Sequence, residues 1–414
     1  MNVKRMWVGL VGFLCLSVMA YADGFRNPPE GAAALGRGGS RLTQGDDPST
    51  VTHNPANLMD VKKAEMMPTM TIGYSKKKFT DTFGRSEESE SPWTFLPAAY
   101  MSRPLENGTY VFGMGLNVPY GQSTQWKEDG ILKGRSPYFA EMKTVNLSPA
   151  IATQVAKDLN VGVGLNVMWS SLEFRQMLPW MPLPAGLQGP ASRLNFKGDG
   201  YGVGPRAGMT YQMTPRQRVS LVYQSPIEVA YDGDFTMDNP LPGVAPSSDF
   251  KTEIDFPAMA GLGYGLQVND RLRVEANVEW VEHSQNEQMN LDIGRNNPLL
   301  MAAMGTTSLP QNWDDTWTFG AGADWKLNST WTLRGGWTYL PTPVPVETMM
   351  PSLAENNCNV FGLGVGYNKG AHHVDVAYAY NLMEDRDVTS PRNPVNGSYE
   401  FDAHLFGVTY GCSF

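Results

Sequence analysis

The chain has 414 residues, a formal charge of −9, 42% hydrophobic and only 18% charged residues, and a mean hydropathy of −0.31. Mild polarity, with no long apolar run in the body of the chain, excludes a polytopic helical membrane protein, which needs stretches of roughly 20 apolar residues. The excess of acid over base speaks against nucleic acid, whose binding rests on basic patches.

The first segment sets the compartment. Lys4 and Arg5 precede an apolar run from Trp7 to Met19, and Ala20-Tyr21-Ala22 has the form of a signal-peptidase site. Residues 1–22 are therefore expected to be a signal peptide, leaving Asp23 as the mature start. Only Cys358 and Cys412 then remain, too few for a disulfide-stapled fold.

Residues 23–63 do not alternate. They are rich in small residues, as in Gly31-Ala32-Ala33-Ala34-Leu35-Gly36-Arg37-Gly38-Gly39, and run on through Asp46-Asp47-Pro48 to Asn54-Pro55-Ala56. Composition alone allows a loose tail or a compact plug.

From residue 64 onward the sequence has period two. Trp317, Phe319, Ala321, Ala323 and Trp325 share one face, while Thr318, Gly320, Gly322, Asp324 and Lys326 share the other. Leu272–Trp280, Val161–Trp169 and Phe361–Tyr367 behave alike. Such alternation means strands with two unlike faces. A soluble sandwich turns the apolar face to its core, whereas a membrane barrel turns it to lipid and keeps a polar interior.

Three features select the barrel. Aromatics stand at the ends of the apolar faces, where interfacial girdles belong. The last strand carries Tyr410, Cys412 and a terminal Phe414 on one face, in the manner of an outer-membrane assembly signal. Short and long connections alternate. About fourteen strands are expected, at 66–76, 93–103, 109–117, 144–156, 160–174, 200–211, 218–230, 253–268, 271–283, 316–326, 331–339, 359–367, 373–382 and 399–414. The short turns are assigned to the periplasm and the long loops to the outside. The fold class is thus all-β, an antiparallel transmembrane barrel over 64–414. It places Cys358 and Cys412 at opposite rims, about 25 Å apart, so no disulfide is expected.

Here a specific resemblance emerges. Leu35-Gly36-Arg37, Asp46-Asp47 and Asn54-Pro55-Ala56 look like the amino-terminal hatch of the FadL family of outer-membrane transporters of long-chain fatty acids and other hydrophobic compounds. Further matches follow in order: Asn117-Val118-Pro119-Tyr120-Gly121, Ser225-Pro226, Asp232-Gly233-Asp234-Phe235, Asp255-Phe256-Pro257, Asp315-Thr316-Trp317 and Pro343-Val344-Pro345. The resemblance implies a monomeric fourteen-stranded barrel whose hatch, 23–63, plugs the lumen. Loops capture a hydrophobic ligand, an apolar pocket receives it, and a kinked third strand releases it sideways into the membrane.

Candidate roles follow. Arg37, Asp46, Asn54, Pro55 and Ala56 would lock the hatch. Gly113, Gly115, Asn117 and Pro119 on the third strand would form the lateral gate, since Gly and Pro mark strand defects. Filling Gly113 or Gly115 with arginine is expected to stop uptake. Leu178, Trp180, Met181 and Leu183 in one apolar loop, and Leu299, Leu300 and Met301 in another, would capture the ligand or pack loop against loop. Arg206, Arg273 and Arg334 point inward, either toward a carboxylate head group or toward lumenal Glu275, Glu279, Asp324 and Asp375.

Other classes fit less well. An outer-membrane lipid hydrolase needs a Ser–His pair at the outer rim, but His283 and Ser284 are adjacent on a strand and point apart. No metal-ligand spacing occurs, and no cofactor is called for. A general porin has no need of a hatch. An aromatic-hydrocarbon channel is the alternative within the family. Expected partners are the hydrophobic ligand, outer-membrane lipid and lipopolysaccharide, and the barrel assembly machinery through Phe414.

Overall fold

The computed structural model describes residues 23–179, 190–294, 300, 304 and 307–414. Fourteen wall strands follow one another in chain order: β1 (Glu65–Asp81), β2 (Trp93–Leu105), β3 (Tyr110–Asn117, then Gly121–Gln125), β4 (Phe139–Ala156), β5 (Leu159–Leu178), β6 (Ser192–Thr214), β7 (Gln217–Gln224, then Ile227–Met237), β8 (Ser247–Phe256, then Met259–Gln267), β9 (Leu272–Val281), β10 (Thr316–Lys326), β11 (Trp331–Leu340), β12 (Cys358–Lys369), β13 (His372–Met383) and β14 (Gly397–Ser413). Every neighbour is antiparallel, and β1 closes the ring by pairing with β14 on one side and β2 on the other. Closure leaves no edge strand, which is what a sheet in hydrocarbon requires.

The wall's chemistry is that of a lipid solvent. Val163, Leu165, Val167, Phe319, Leu363, Val376, Phe406 and Val408 are exposed on the outside. Their neighbours in sequence, including Asn166, Thr318, Asp375 and Thr409, are buried inside. Trp317 and Trp325 mark the two ends of one outward face, and both are exposed.

The ladders run beyond the expected spans. β4 begins at Phe139, and β6 runs from Ser192 to Thr214. The connections assigned to 118–143, 175–199 and 231–252 are thus partly strand. Above the lipid band the outward face no longer has to be apolar, so the alternation fades while the hydrogen bonds continue. The expected strands at 218–230 and 253–268 are each interrupted, at Ser225–Pro226 and at Pro257–Ala258. Proline lacks the N–H that a ladder uses.

Two interiors result. At the short-turn end the lumen is polar and filled by residues 23–64, which contain helices α1 (Ala32–Gly36) and α2 (Thr50–His53) and a 3₁₀ turn, Pro55–Asp60. At the long-loop end it is apolar. Phe174 and Phe196 stack there with centroids 4.4 Å apart, and Phe235 and Phe250 pack onto Phe196 at 4.9 and 5.4 Å. Cys358 pairs with Leu340 and Met383 at the long-loop end, Cys412 with Met66 and His372 at the other, and both thiols are free.

Candidate functional site

The amino-terminal segment is seated by side chains against a glycine-lined wall. Asn54 holds the loop with its whole amide: Nδ2 donates to Leu42 O at 2.9 Å and to Thr210 Oγ1 at 3.0 Å, and Oδ1 accepts from Ala56 N at 3.1 Å. Pro55 and Ala56 lie so close to β5 that a Cβ on Gly162 would overlap their backbone. Thr43 donates to Glu275 through both its N–H and its hydroxyl, at 3.1 and 2.6 Å.

Charge finishes the seat. Arg37 lies 3.3 Å from Asp324, and Arg273 joins Asp46 of the segment to Asp324 of β10. Arg334 lies 3.0 Å from Asp324 and 2.5 Å from Asp375. Arg37, Asp46 and Asn54 are therefore brought together with the wall. Arg273 and Arg334 are spoken for by carboxylates, as is Arg218 of β7, which lies 2.8 Å from Asp60.

Arg206 differs. It is buried, its guanidinium donates to Thr52 O, its Nε has no partner, and among the described residues no carboxylate lies within ion-pair distance. It lines a polar pocket of about 60 Å³ with Arg26, Glu30, Arg41, His53 and Tyr120. Burial, and after it the Arg41 and Arg206 cations, hold His53 well below its ordinary pKa, so this histidine is neutral.

The third strand is broken at Val118–Tyr120. Below the break β3 pairs with β2 up to Ala99 opposite Leu116; above it the strand pairs with β4, and on its other side an isolated bridge joins Gln125 to Glu90. The segment after Asp23 fills the opening. Asn27 N donates to Pro119 O at 2.9 Å, Gly121 N to Phe25 O at 2.8 Å, and Asn27 Nδ2 to Val118 O at 2.8 Å. Asn117 Nδ2 donates to Glu30 Oε1 at 2.5 Å. Asn117 thus flanks the break and Pro119 lies within it. Gly113 and Gly115 do not: a Cβ there would meet Leu58 at 2.7 Å and Tyr100 at 3.0 Å, so they face the amino-terminal segment and β2.

Above the break lies an apolar cavity of about 100 Å³, lined by Phe25, Met142, Leu172, Phe174, Trp313, Val344 and Leu353. Phe25 closes its floor, with its ring 4.7 Å from that of Trp313. Leu178 and Leu300 are buried in the same apolar cluster. Trp180, Met181, Leu183, Leu299 and Met301 lie outside the described residues. His283 is buried and meets Asp23 at 3.2 Å. Glu355, in the loop after β11, accepts from Gly24 N at 3.1 Å and Thr342 Oγ1 at 2.5 Å, and burial pushes its carboxyl up to about 8.

The cavity residues were not among the sequence candidates. Leu172 and Phe174, the latter directly opposite Phe196, carry a usable signal, because the inward phase turns from polar to apolar toward the loops. Phe25 carries none.

A sequence model of the outer membrane protein transport protein family (OMPP1/FadL/TodX) matches residues 13–414. The long-chain fatty acid transport protein of Escherichia coli (strain K12) is 22% identical, with 98% of this chain and 97% of that one covered. Among solved structures, a Pseudomonas aeruginosa FadL homologue superposes with a TM-score of 0.82 at 21% identity, covering 94% of this chain and 100% of the other. The toluene transporter TodX of P. putida gives 0.76 at 19%, covering 95% and 99%.

Proposed function

The chain belongs to the OMPP1/FadL/TodX family of outer-membrane transport proteins, and we propose that it carries long-chain fatty acids inward by loop capture, storage in the apolar cavity and sideways release. The observation that carries this is the stacked arrangement of an apolar cavity over a polar, side-chain-locked plug, with a broken wall strand between them. A watery channel is a poor path for an acyl chain, which gains about 0.8 kcal/mol per buried CH₂. In this scheme residues 23–63 are the hatch and 1–22 a cleaved signal peptide. Leu178 and Leu300 belong to the capture surface. Movement of Phe25–Asn27 away from Pro119 opens the third-strand gate flanked by Asn117. Outer-membrane lipid receives the ligand, and Phe414, three-quarters exposed, is free to meet the assembly machinery.

Size favours a second substrate class. A closed apolar cavity of about 150 Å³ binds benzene, and this one is about 100 Å³. In the closed state a single ring is a nearer fit than an acyl chain, which needs Phe25 displaced. Uptake of labelled oleate and of toluene by cells that depend on this protein, beside sugar-driven swelling of liposomes containing it, tests both. Uptake of either compound with slow swelling supports the proposal; rapid sugar flux without such uptake makes the protein a general porin.

A further inference from the structure

A second gap in the strand pairing lies away from β3. β6 and β7 pair from Arg206 opposite Gln224 downward, and from Asp199 opposite Asp232 upward. Between them Gly200–Pro205 and Ser225–Tyr231 form no ladder, and the backbone bond there is Ser225 N to Pro205 O at 3.0 Å. The cause is in the sequence. Pro226 and Pro257 break β7 and β8 at one level, and the upper halves, which stay paired to each other, step inward together. They come to rest over glycines: a Cβ on Gly202 would stand 2.6 Å from Glu228 O, and one on Gly204 2.7 Å from Ile227 Cγ1. On the far side of the β5–β6 ribbon, Ser148 and Pro149 of β4 are likewise unpaired with Leu165 and Asn166. At the level of Leu165 and Pro205 the ribbon is therefore held outside any ladder, by Ser225 N to Pro205 O on one side and by Ser148 Oγ to Asn166 Oδ1, at 2.9 Å, on the other.

The lipid-facing surface is hollowed at that level. A groove of about 670 Å³ runs between Phe112, Ile151, Val163, Leu165, Pro205 and Tyr223. Arg206 lines this outer groove and also the inner polar pocket. Its Nε is buried without a partner and, among the described residues, it forms no ion pair, whereas Arg273 and Arg334 are each paired with carboxylates. A buried cation short of an acceptor favours an anion beside it.

We propose that the β6–β7 seam is an exit port for a carboxylate amphiphile. The head group is held by Arg206 while the acyl chain lies in the outer groove, ready to enter the membrane. The seam parts by sliding packed side chains off glycines, with few backbone bonds to break. The β3 break, by contrast, is filled by the bonded chain of Phe25–Asn27. This rests on the uptake reading and adds a second route to it.

Gly204→Cys with Ser225→Cys places two sulfurs across the seam, since a Cβ on Gly204 lies 2.8 Å from Ser225 Oγ. Made with Cys358→Ala and Cys412→Ala, this variant is expected to lose at least tenfold in palmitate uptake when oxidised and to recover it with reductant. Recovery shows that the barrel is intact, and unchanged palmitate binding to the purified protein separates exit from capture. Uptake at the unmodified rate in the fully cross-linked variant overturns the port. As a second arm, Arg206→Gln should depress palmitate uptake at least fivefold and leave hexadecanol uptake unchanged; equal loss of both removes the carboxylate role. Absence of any uptake by the wild type rejects the uptake reading itself, and the port with it.

Discussion

Asn54 and Glu355 show how single side chains hold the amino-terminal segment at its two ends. Asn54 satisfies two acceptors and one donor that are otherwise buried. Asn54→Ala leaves those groups unpaired, at about 1–3 kcal/mol each when buried, so the segment should open locally at least tenfold more often. Limited proteolysis between residues 40 and 60 in detergent would report this, and unchanged cleavage would mean that the plug is held elsewhere. Glu355 gives a pH test. Its carboxyl is raised to about 8 by burial, from an ordinary 4.5, so the folded state keeps a proton that the unfolded chain has shed. Its contribution is full below 4.5 and is lost as pH rises through 8. Ionisation puts a charge beside Asp23 and should loosen the grip on Gly24. Hydrogen exchange of the Gly24–Asn27 stretch, corrected for intrinsic rates, is expected to quicken from pH 7 to 9 in the wild type. Glu355→Gln should abolish that rise.

At the scale of elements, the third strand separates two roles that one run of sequence seemed to share. Gly113 sits in an unbroken ladder, opposite Ser102 and Ala150. Its inner face is covered by Leu58 and Val51. Gly113→Arg should therefore leave the barrel assembled and displace the plug, raising sugar permeability in liposome swelling several-fold. A variant that stops uptake while staying sealed would restore Gly113 to the gate. The alternation made the lower wall legible, because lipid outside and polar groups inside impose opposite demands on adjacent residues. Asp324, Asp375 and Glu275 were readable as lumenal on that basis. The upper wall is harder to read, since Phe174, Phe196, Phe235 and Phe250 point inward where the outer face is no longer bound to be apolar, and only the switch of the inward phase from polar to apolar marks it. The pairing of Arg273 with Asp46 crosses 227 residues, and no local pattern encodes such a contact. The prolines at 226 and 257 were visible as residues, but their joint inward step depends on two strands breaking at the same height.

The whole molecule divides its stability between a closed ladder and a seated plug. The wall strands from β1 to β14 close the ring by pairing with one another, with gaps at the β3 break, which Phe25–Asn27 bridge, and at the β6–β7 seam. The plug is held mainly through side chains: Asn54, Thr43, Arg37 and Asp46 on one side, Glu275, Asp324, Arg273 and Thr210 on the other. Its removal strips the wall of partners and opens the Arg26–Tyr120 bridge at the β3 break, but it leaves the pairing between neighbouring wall strands, and water can solvate the exposed carboxylates and guanidiniums. Deletion of 24–63 with residues 1–23 retained should thus yield a barrel that still shifts on gels when heated. A fourteen-stranded ring is wide enough to leak once emptied, so liposomes carrying it should swell in sugars at porin-like rates, at least tenfold above the full chain. Failure of the deleted chain to reach the membrane would make the segment part of the folding core, and a sealed but assembled barrel would mean that the apolar upper cluster of Phe174, Phe196 and Phe250 closes the lumen by itself.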